Sequence, residues 1–204
     1  MLEAICFEDV LNDIRKKRDT KTQIIGILIA NPGTEFVREN ILNRISQFHH
    51  RSGESMNFYF PGYGAYWHDS IPDSENVCKI DSIQWSFSNK LYSDFIFHLE
   101  EVSKYSYSGE TELLLLEISG NELRFDNVLV FWLDRMVADG VIYSVSNFFE
   151  EIFKITKSGS SIFSLSDTLA LRGIGGSMLD LVEMKLPIRK LMKGKHFLIA
   201  DFTK

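Results

Sequence analysis

The residues with chemistry to offer gather in two short stretches. Asn31-Pro32-Gly33-Thr34-Glu35 follows an unbroken apolar run, and Pro61-Gly62-Tyr63-Gly64-Ala65-Tyr66-Trp67-His68-Asp69 follows a second one. A helix that begins at the first stretch turns free N–H groups toward an anion, with Thr34 beside them. The aromatics of the second stretch can stack on a planar ring. Together they define a candidate ligand site of Asn31, Gly33, Thr34, Tyr63, Gly64, Tyr66 and Trp67. Glu35, His68 and Asp69 add weak acid/base candidates, because carboxylates and an imidazole that titrates near neutrality can move protons. The plainer reading stands beside this one: Asn31 to Thr34 is good helix-start chemistry, and the aromatics cap the core.

Other clusters say less. His49-His50 could join His68 and Asp69 in a metal or acid/base site, but adjacent helical residues point about 100° apart and seldom share a metal. No metal site is assigned. Arg51 suits a phosphate or a carboxylate, yet it sits at the opposite end of the second strand from Tyr63. Gly173-Ile174-Gly175-Gly176-Ser177 resembles a phosphate cradle, but a helical pattern precedes it where the known fingerprints need a strand. It reads as an interhelical turn. Glu100-Glu101 and Glu150-Glu151 read as solvated helix faces. No nucleophile elbow, zinc-protease, calcium-loop or kinase signature is present. Cys6 and Cys78 make no metal or redox pattern and read as buried free thiols in a reducing compartment.

These stretches must be positioned by secondary structure. Ile24 to Ile29 lacks polar alternation and predicts a strand buried on both faces over 23–30. Gly26 inside it marks a close approach of a helix or ligand. Asn31 or Thr34 caps a helix that runs to about residue 50, with Val37, Ile41, Ile45 and Phe48 as its stripe. Ser52-Gly53 stops it. A second strand over 56–60 completes a βαβ unit with parallel strands. This start is compatible with a thioredoxin-like fold, but no Cys-x-x-Cys follows the first strand, and no family is named. Further elements are a helix over 3–18, an irregular segment over 61–82 and a helix over 88–104 capped by Ser88. A third doubly buried strand over 110–119 then turns at Gly120-Asn121 into an antiparallel Glu122 to Phe125. Residues 126–140 are read as helix, with a strand over 128–133 as the rival. Helices follow over 144–156, over 166–172 and after Ser177, the last ended by Pro187. A final strand covers Phe197 to Ala200.

The chain has 204 residues, 45% hydrophobic, 13% aromatic and 25% charged, with a formal charge of −6. That length supports one large core. The acidic balance argues against a nucleic-acid footprint. No leader peptide is visible at the amino terminus, and no apolar run is long enough to span a bilayer, so the expected location is the cytoplasm without a membrane partner. The expected fold is one α/β domain, 1–204. It has a mostly parallel, mixed central sheet with helices on both faces, and a helical C-terminal cover or subdomain over 126–193. Three functional readings follow. The first is an intracellular small-molecule-binding or regulatory domain with a nucleotide-like or small anionic ligand. The second is an enzyme on such a molecule, with Glu35, Asp69 and His68 as acid/base groups. The third is an interaction module for a protein partner or a second copy. No cofactor is specified.

Overall fold

The computed structural model describes residues 2–4, 6–16, 23–67, 70–157, 161–162, 165 and 191–204. In chain order the elements are β1 (Leu2–Ala4), α1 (Phe7–Lys16), β2 (Gln23–Ile29), α2 (Glu35–Asn40), α3 (Ile45–Ser55), β3 (Asn57–Pro61), β4 (Tyr63–Ala65), β5 (Ser74–Ile80), β6 (Ile83–Ser88), α4 (Asn89–Val102), β7 (Glu112–Ser119), β8 (Glu122–Trp132), α5 (Leu133–Ala138), α6 (Val145–Lys157) and β9 (Phe197–Ala200).

A six-stranded mixed sheet runs in the order β1-β3-β2-β7-β8-β9. β1 and β2 pair parallel with β3, while β2–β7, β7–β8 and β8–β9 are antiparallel. Antiparallel pairings therefore outnumber the parallel ones that the apolar runs suggested. β2 and β7 form the middle of the sheet, and Ile24 to Ile29 and Leu113 to Leu116 are all buried. Each such side chain taken from water contributes about 1.5–3 kcal/mol before entropy is counted. Gly26 pairs with Phe58, and a Cβ there would stand 2.7 Å from Phe58 Cδ2. The close approach marked by this glycine is thus made by a neighbouring-strand ring, not by a helix or ligand.

Successive strand residues face opposite ways, and the flanking contacts follow that rule. Phe58 meets Phe149 and Phe153 of α6, and Phe131 meets Phe148. Tyr59, one residue on, donates its hydroxyl to Asp13 Oδ2 of α1 at 2.6 Å. Phe7 of α1 packs edge-on against Phe95 of α4 at 5.5 Å.

Several elements differ from the sequence reading for identifiable reasons. Residues 126–132 belong to β8, not to a helix. Gly120 and Asn121 adopt φ of 61° and 66°, the left-handed pair that closes a two-residue hairpin. The strand begun at Glu122 is carried on by pairing with both β7 and β9. Asp126 and Asn127, which looked like helix caps, sit where the register slips: Leu115 faces Leu129 but Glu117 faces Arg124. The segment expected to be irregular over 61–82 contains two strands, since β4 and β5 flank β6 in a separate antiparallel sheet. β5 is largely exposed, so it lacks the apolar alternation that marks a strand. Its turn, Asp81-Ser82, adopts positive φ without a glycine. The helix expected over 34–50 breaks at Ile41, passes through a 3-10 turn over Leu42–Arg44 and resumes as α3 to Ser55. Its stripe of Val37, Ile41, Ile45 and Phe48 is buried throughout. The helix expected over 3–18 starts only at Phe7, after β1.

Ser88 caps α4 as expected, its hydroxyl accepting from Leu91 N at 3.1 Å. The expected helix over 166–172, the Gly173 to Ser177 turn and the helix ended by Pro187 lie outside the described residues. Among the described residues, no helix is long and apolar enough to cross a membrane.

Candidate functional site

β2 and β3 are parallel neighbours, so the segments leaving them, 30–35 and 62–67, emerge at the same end of the sheet. The first is a self-contained turn. Asn31 Oδ1 accepts from Gly33 N at 2.8 Å, and Asn31 O accepts from Thr34 N at 3.2 Å. Thr34, rather than Asn31, caps α2: its Oγ1 accepts from Val37 N at 3.3 Å. Arg38 N donates to Thr34 O, and the Arg38 guanidinium donates to Pro32 O and Gly33 O at 3.1 and 2.8 Å. The N–H groups of Gly33, Thr34, Val37 and Arg38 are therefore already spent inside the turn. Glu35 is exposed in the first turn of α2, where its charge suits the helix dipole and repels an anion.

The second segment divides its aromatics. Tyr63 is completely buried; its ring stacks on Phe60 at 3.6 Å, nearly parallel, and its hydroxyl donates to Ala30 O at 2.9 Å. It ties the exit of β2 to β4 and forms a floor, not an open stacking face. Burial holds its phenol well above the usual tyrosine range. Trp67 is also buried and lies across Gly64, where a Cβ would come within 2.2 Å of the indole. Tyr66 alone of the three faces water, 70% exposed, with φ at 60°. His68 and Asp69 lie outside the described residues.

The same end of the sheet holds a group that the sequence reading missed. Glu112 pairs with Ile29 of β2 and Trp132 of β8, and its side chain is 1% exposed. It accepts from Tyr105 OH, from Ser108 Oγ, from Ser108 N at 3.2 Å and from Trp132 Nε1 at 3.1 Å. Burial raises its pKa above the ordinary glutamate value, against these donors, which lower it. Next to it, the hydroxyls of Tyr92 and Tyr107 lie 2.9 Å apart. Burial raises both phenols, with the Tyr92–Tyr107 bond adding to the rise at Tyr92 and opposing it at Tyr107. The available signal was a carboxylate at the mouth of the Leu113–Leu116 run, preceded by two tyrosines and a serine. A buried histidine was equally silent: His196 Nε2 lies 2.7 Å from Oδ2 of the exposed Asp139, and His196 Nδ1 accepts from Met192 N at 3.1 Å. Both imidazole nitrogens are thus engaged, which suits a structural pin.

The remaining candidates are dispersed. His50 Nε2 lies 2.9 Å from Asp81 Oδ1 and steadies the β5–β6 turn, and His49 packs edge-on to Trp85. Arg51 takes the carboxylate of Glu150 in a two-pronged bond, Nε at 3.0 Å and NH2 at 2.8 Å, which joins α3 to α6 and lowers the Glu150 pKa. Glu150 and Glu151 are therefore not a solvated pair, and Glu151 is buried with Lys154 Nζ at 2.7 Å. Cys6 and Cys78 are free and only partly buried, and burial pushes the Cys78 thiol up to about 11. Among the described residues, no group of three or more His, Cys, Asp or Glu is arranged to hold a metal. Comparison with protein-family models, with curated proteins and with solved structures finds no match to this chain.

Proposed function

We propose that this chain is an intracellular small-molecule-binding or regulatory domain whose nucleotide-like or anionic ligand sits over the carboxyl ends of β2 and β3. In open α/β sheets, ligands favour the crevice outside the strand ends. The observation that carries the reading is Tyr66: a bulky aromatic, 70% exposed, held at φ 60° in the segment that leaves β3. A left-handed non-glycine residue is strained, and such strain gathers at ligand sites. Tyr63 is the floor, Asn31, Gly33 and Thr34 one wall, and Gly64 and Tyr66 the other, with Trp67 packed on Gly64. The reading takes 1–204 as one domain with helices on both faces of the sheet, supported by Phe58 reaching α6 while Tyr59 reaches α1. It also assigns the chain to a reducing compartment, the cytoplasm, on the strength of two free cysteines. The enzyme alternative would use Glu35, His68 and Asp69, and the interaction alternative would use exposed apolar residues. The exposed Phe97, Val102, Tyr143 and Met192 are of the scattered kind common on any surface.

The test is the melting temperature of the wild type and of Tyr66→Ala against nucleosides, nucleotides and inorganic phosphate. A ligand at 100 times its Kd adds about 2.7 kcal/mol, which is ~5–11 °C at the ~2–4 °C per kcal/mol usual for this size. The reading expects that shift in the wild type and its loss in Tyr66→Ala. No shift across the panel, or the same shift in both proteins, overturns it.

A further inference from the structure

We propose that the Trp67 indole occupies its own ligand site: it lies on Gly64 where the flat ring of an uncharged heteroaromatic ligand will lie, and that ligand displaces it. The inference rests on the ligand-binding reading above and narrows it to a class, a nucleoside-like ring without need of phosphate.

The contact between Trp67 and Gly64 is the first ground. A Cβ at Gly64 would stand 2.2 Å from both Cε2 and Nε1 of the indole and 2.3 Å from Cζ2. The ring therefore rests directly on bare backbone, in a slot that only glycine leaves open. An aromatic slab of this size and flatness is what a heteroaromatic ligand would offer to the same surface.

The second ground is an unmade bond. Trp67 is 5% exposed, yet its Nε1 has no hydrogen-bond partner among the described residues. Buried indoles ordinarily find an acceptor. Trp132 does so in this chain, donating to Glu112 at 3.1 Å. Trp67 has given up its hydration without replacement, so leaving the slot restores a bond that the resting arrangement lacks. Trp67 also stands apart from the contiguous apolar cluster formed by the other buried side chains among the described residues.

The backbone around Trp67 fits an outward swing. Tyr66, immediately before it, holds φ at 60°, and relaxing that strain redirects the next residue. On the other side, Trp67 O is fixed by Ser70 N at 2.9 Å and by Ser70 Oγ. One side of the residue is strained and the other is anchored, which makes Tyr66 the pivot.

The class of ligand follows from which donors remain. The N–H groups of Gly33, Thr34, Val37 and Arg38 are taken within the 31–38 turn, Arg38 NH1 is held by two carbonyls, and Glu35 adds a negative charge. The Glu35 and Phe36 N–H groups open a six-residue helix whose first residue is itself a carboxylate, a poor setting for a phosphate. What remains is a slot for a ring, the exposed Tyr66 and an indole donor freed on displacement.

The probes are the four common ribonucleosides, their monophosphates and inorganic phosphate. Tryptophan emission and its quenching by acrylamide are read in the wild type, with Trp67→Phe supplying the difference signal of Trp67. Nucleoside binding should move the Trp67 emission to the red and expose it to quencher. Trp67→Ala, which vacates the slot, should bind the same nucleoside at least about tenfold tighter, the inverse of an open population of ~10% or less. A nucleoside that binds while Trp67 stays blue and shielded, or that binds Trp67→Ala more weakly, overturns the displacement and leaves the ligand-binding reading standing. Binding that needs the phosphate overturns the uncharged class. Silence of the whole panel on the wild type and on both variants overturns inference and reading together. If Trp67→Ala does not fold, the wild-type quenching measurement decides alone.

Discussion

Replacing Tyr63 by Phe removes one hydroxyl at the junction of the two sheets. The ring should stay where it is, because its stacking on Phe60 at 3.6 Å and its tilt against Phe87 need no oxygen. What is lost is the 2.9 Å bond to Ala30 O, at a residue fully buried on the β2 exit. A typical hydrogen bond contributes about 0.5–1.5 kcal/mol net, and a buried acceptor stripped of its donor costs about 1–3. The void left is smaller than a methyl group, so the cavity term is minor. Tyr63→Phe should therefore destabilise by about 1–2 kcal/mol, or ~2–8 °C in Tm for a chain of this size. Tyr63→Leu, which also loses the stack, should cost at least about 1 kcal/mol more. Urea unfolding of the three proteins measures both steps. A Tyr63→Phe protein within about 0.5 kcal/mol of the wild type would refute the claim that this hydroxyl ties the β2 exit to β4.

Three further outcomes follow from named contacts. Gly64→Ala drives a Cβ into the Trp67 indole, so it should destabilise by about 1–3 kcal/mol and shift tryptophan emission to the red; unchanged emission would contradict the packing. Glu112 has a folded-state pKa raised by burial, so its contribution is fully present below its unfolded pKa and is lost as pH rises through the folded value. Urea midpoints of the wild type minus those of Glu112→Gln should accordingly fall as pH rises above the ordinary glutamate range, and a difference that rises with pH would reverse the assignment. Arg51→Ala breaks a two-pronged bond whose partners are half and about one-fifth exposed, so solvent screening limits the loss to about 0.5–1 kcal/mol, with a smaller effect at high salt.

Much of the fold could be read from pattern, and the misses have physical causes. Ile24 to Ile29 and Leu113 to Leu116 announce buried strands because they are apolar on both sides, and Gly120-Asn121 announces a hairpin because few residues tolerate its backbone. Ser88 and the Val37-Ile41-Ile45-Phe48 stripe are likewise local signals that tertiary structure left in place. β8 was misread from 126 onward because its continuation depends on β9, some 70 residues away, which no local window contains. β5 was missed because an exposed strand has no apolar face to display. At the candidate site, the parallel exits of β2 and β3 followed from the βαβ spacing, but the burial of Tyr63 and Trp67 did not. Spacing tells that aromatics share a segment; which of them the neighbouring rings of Phe60 and Phe87 will absorb is a packing outcome. Glu112 was invisible for a related reason, since its donors come from Tyr105, Ser108 and Trp132 and are assembled only when the sheet forms.

The most direct test of a ligand over the β2 and β3 exits is an amide chemical-shift map of the labelled protein titrated with a nucleoside. The account predicts saturable shifts concentrated at residues 30–35 and 62–67, with α4 and the β7–β8 hairpin nearly still. Shifts centred elsewhere on the chain, or none at any concentration reached, would contradict it.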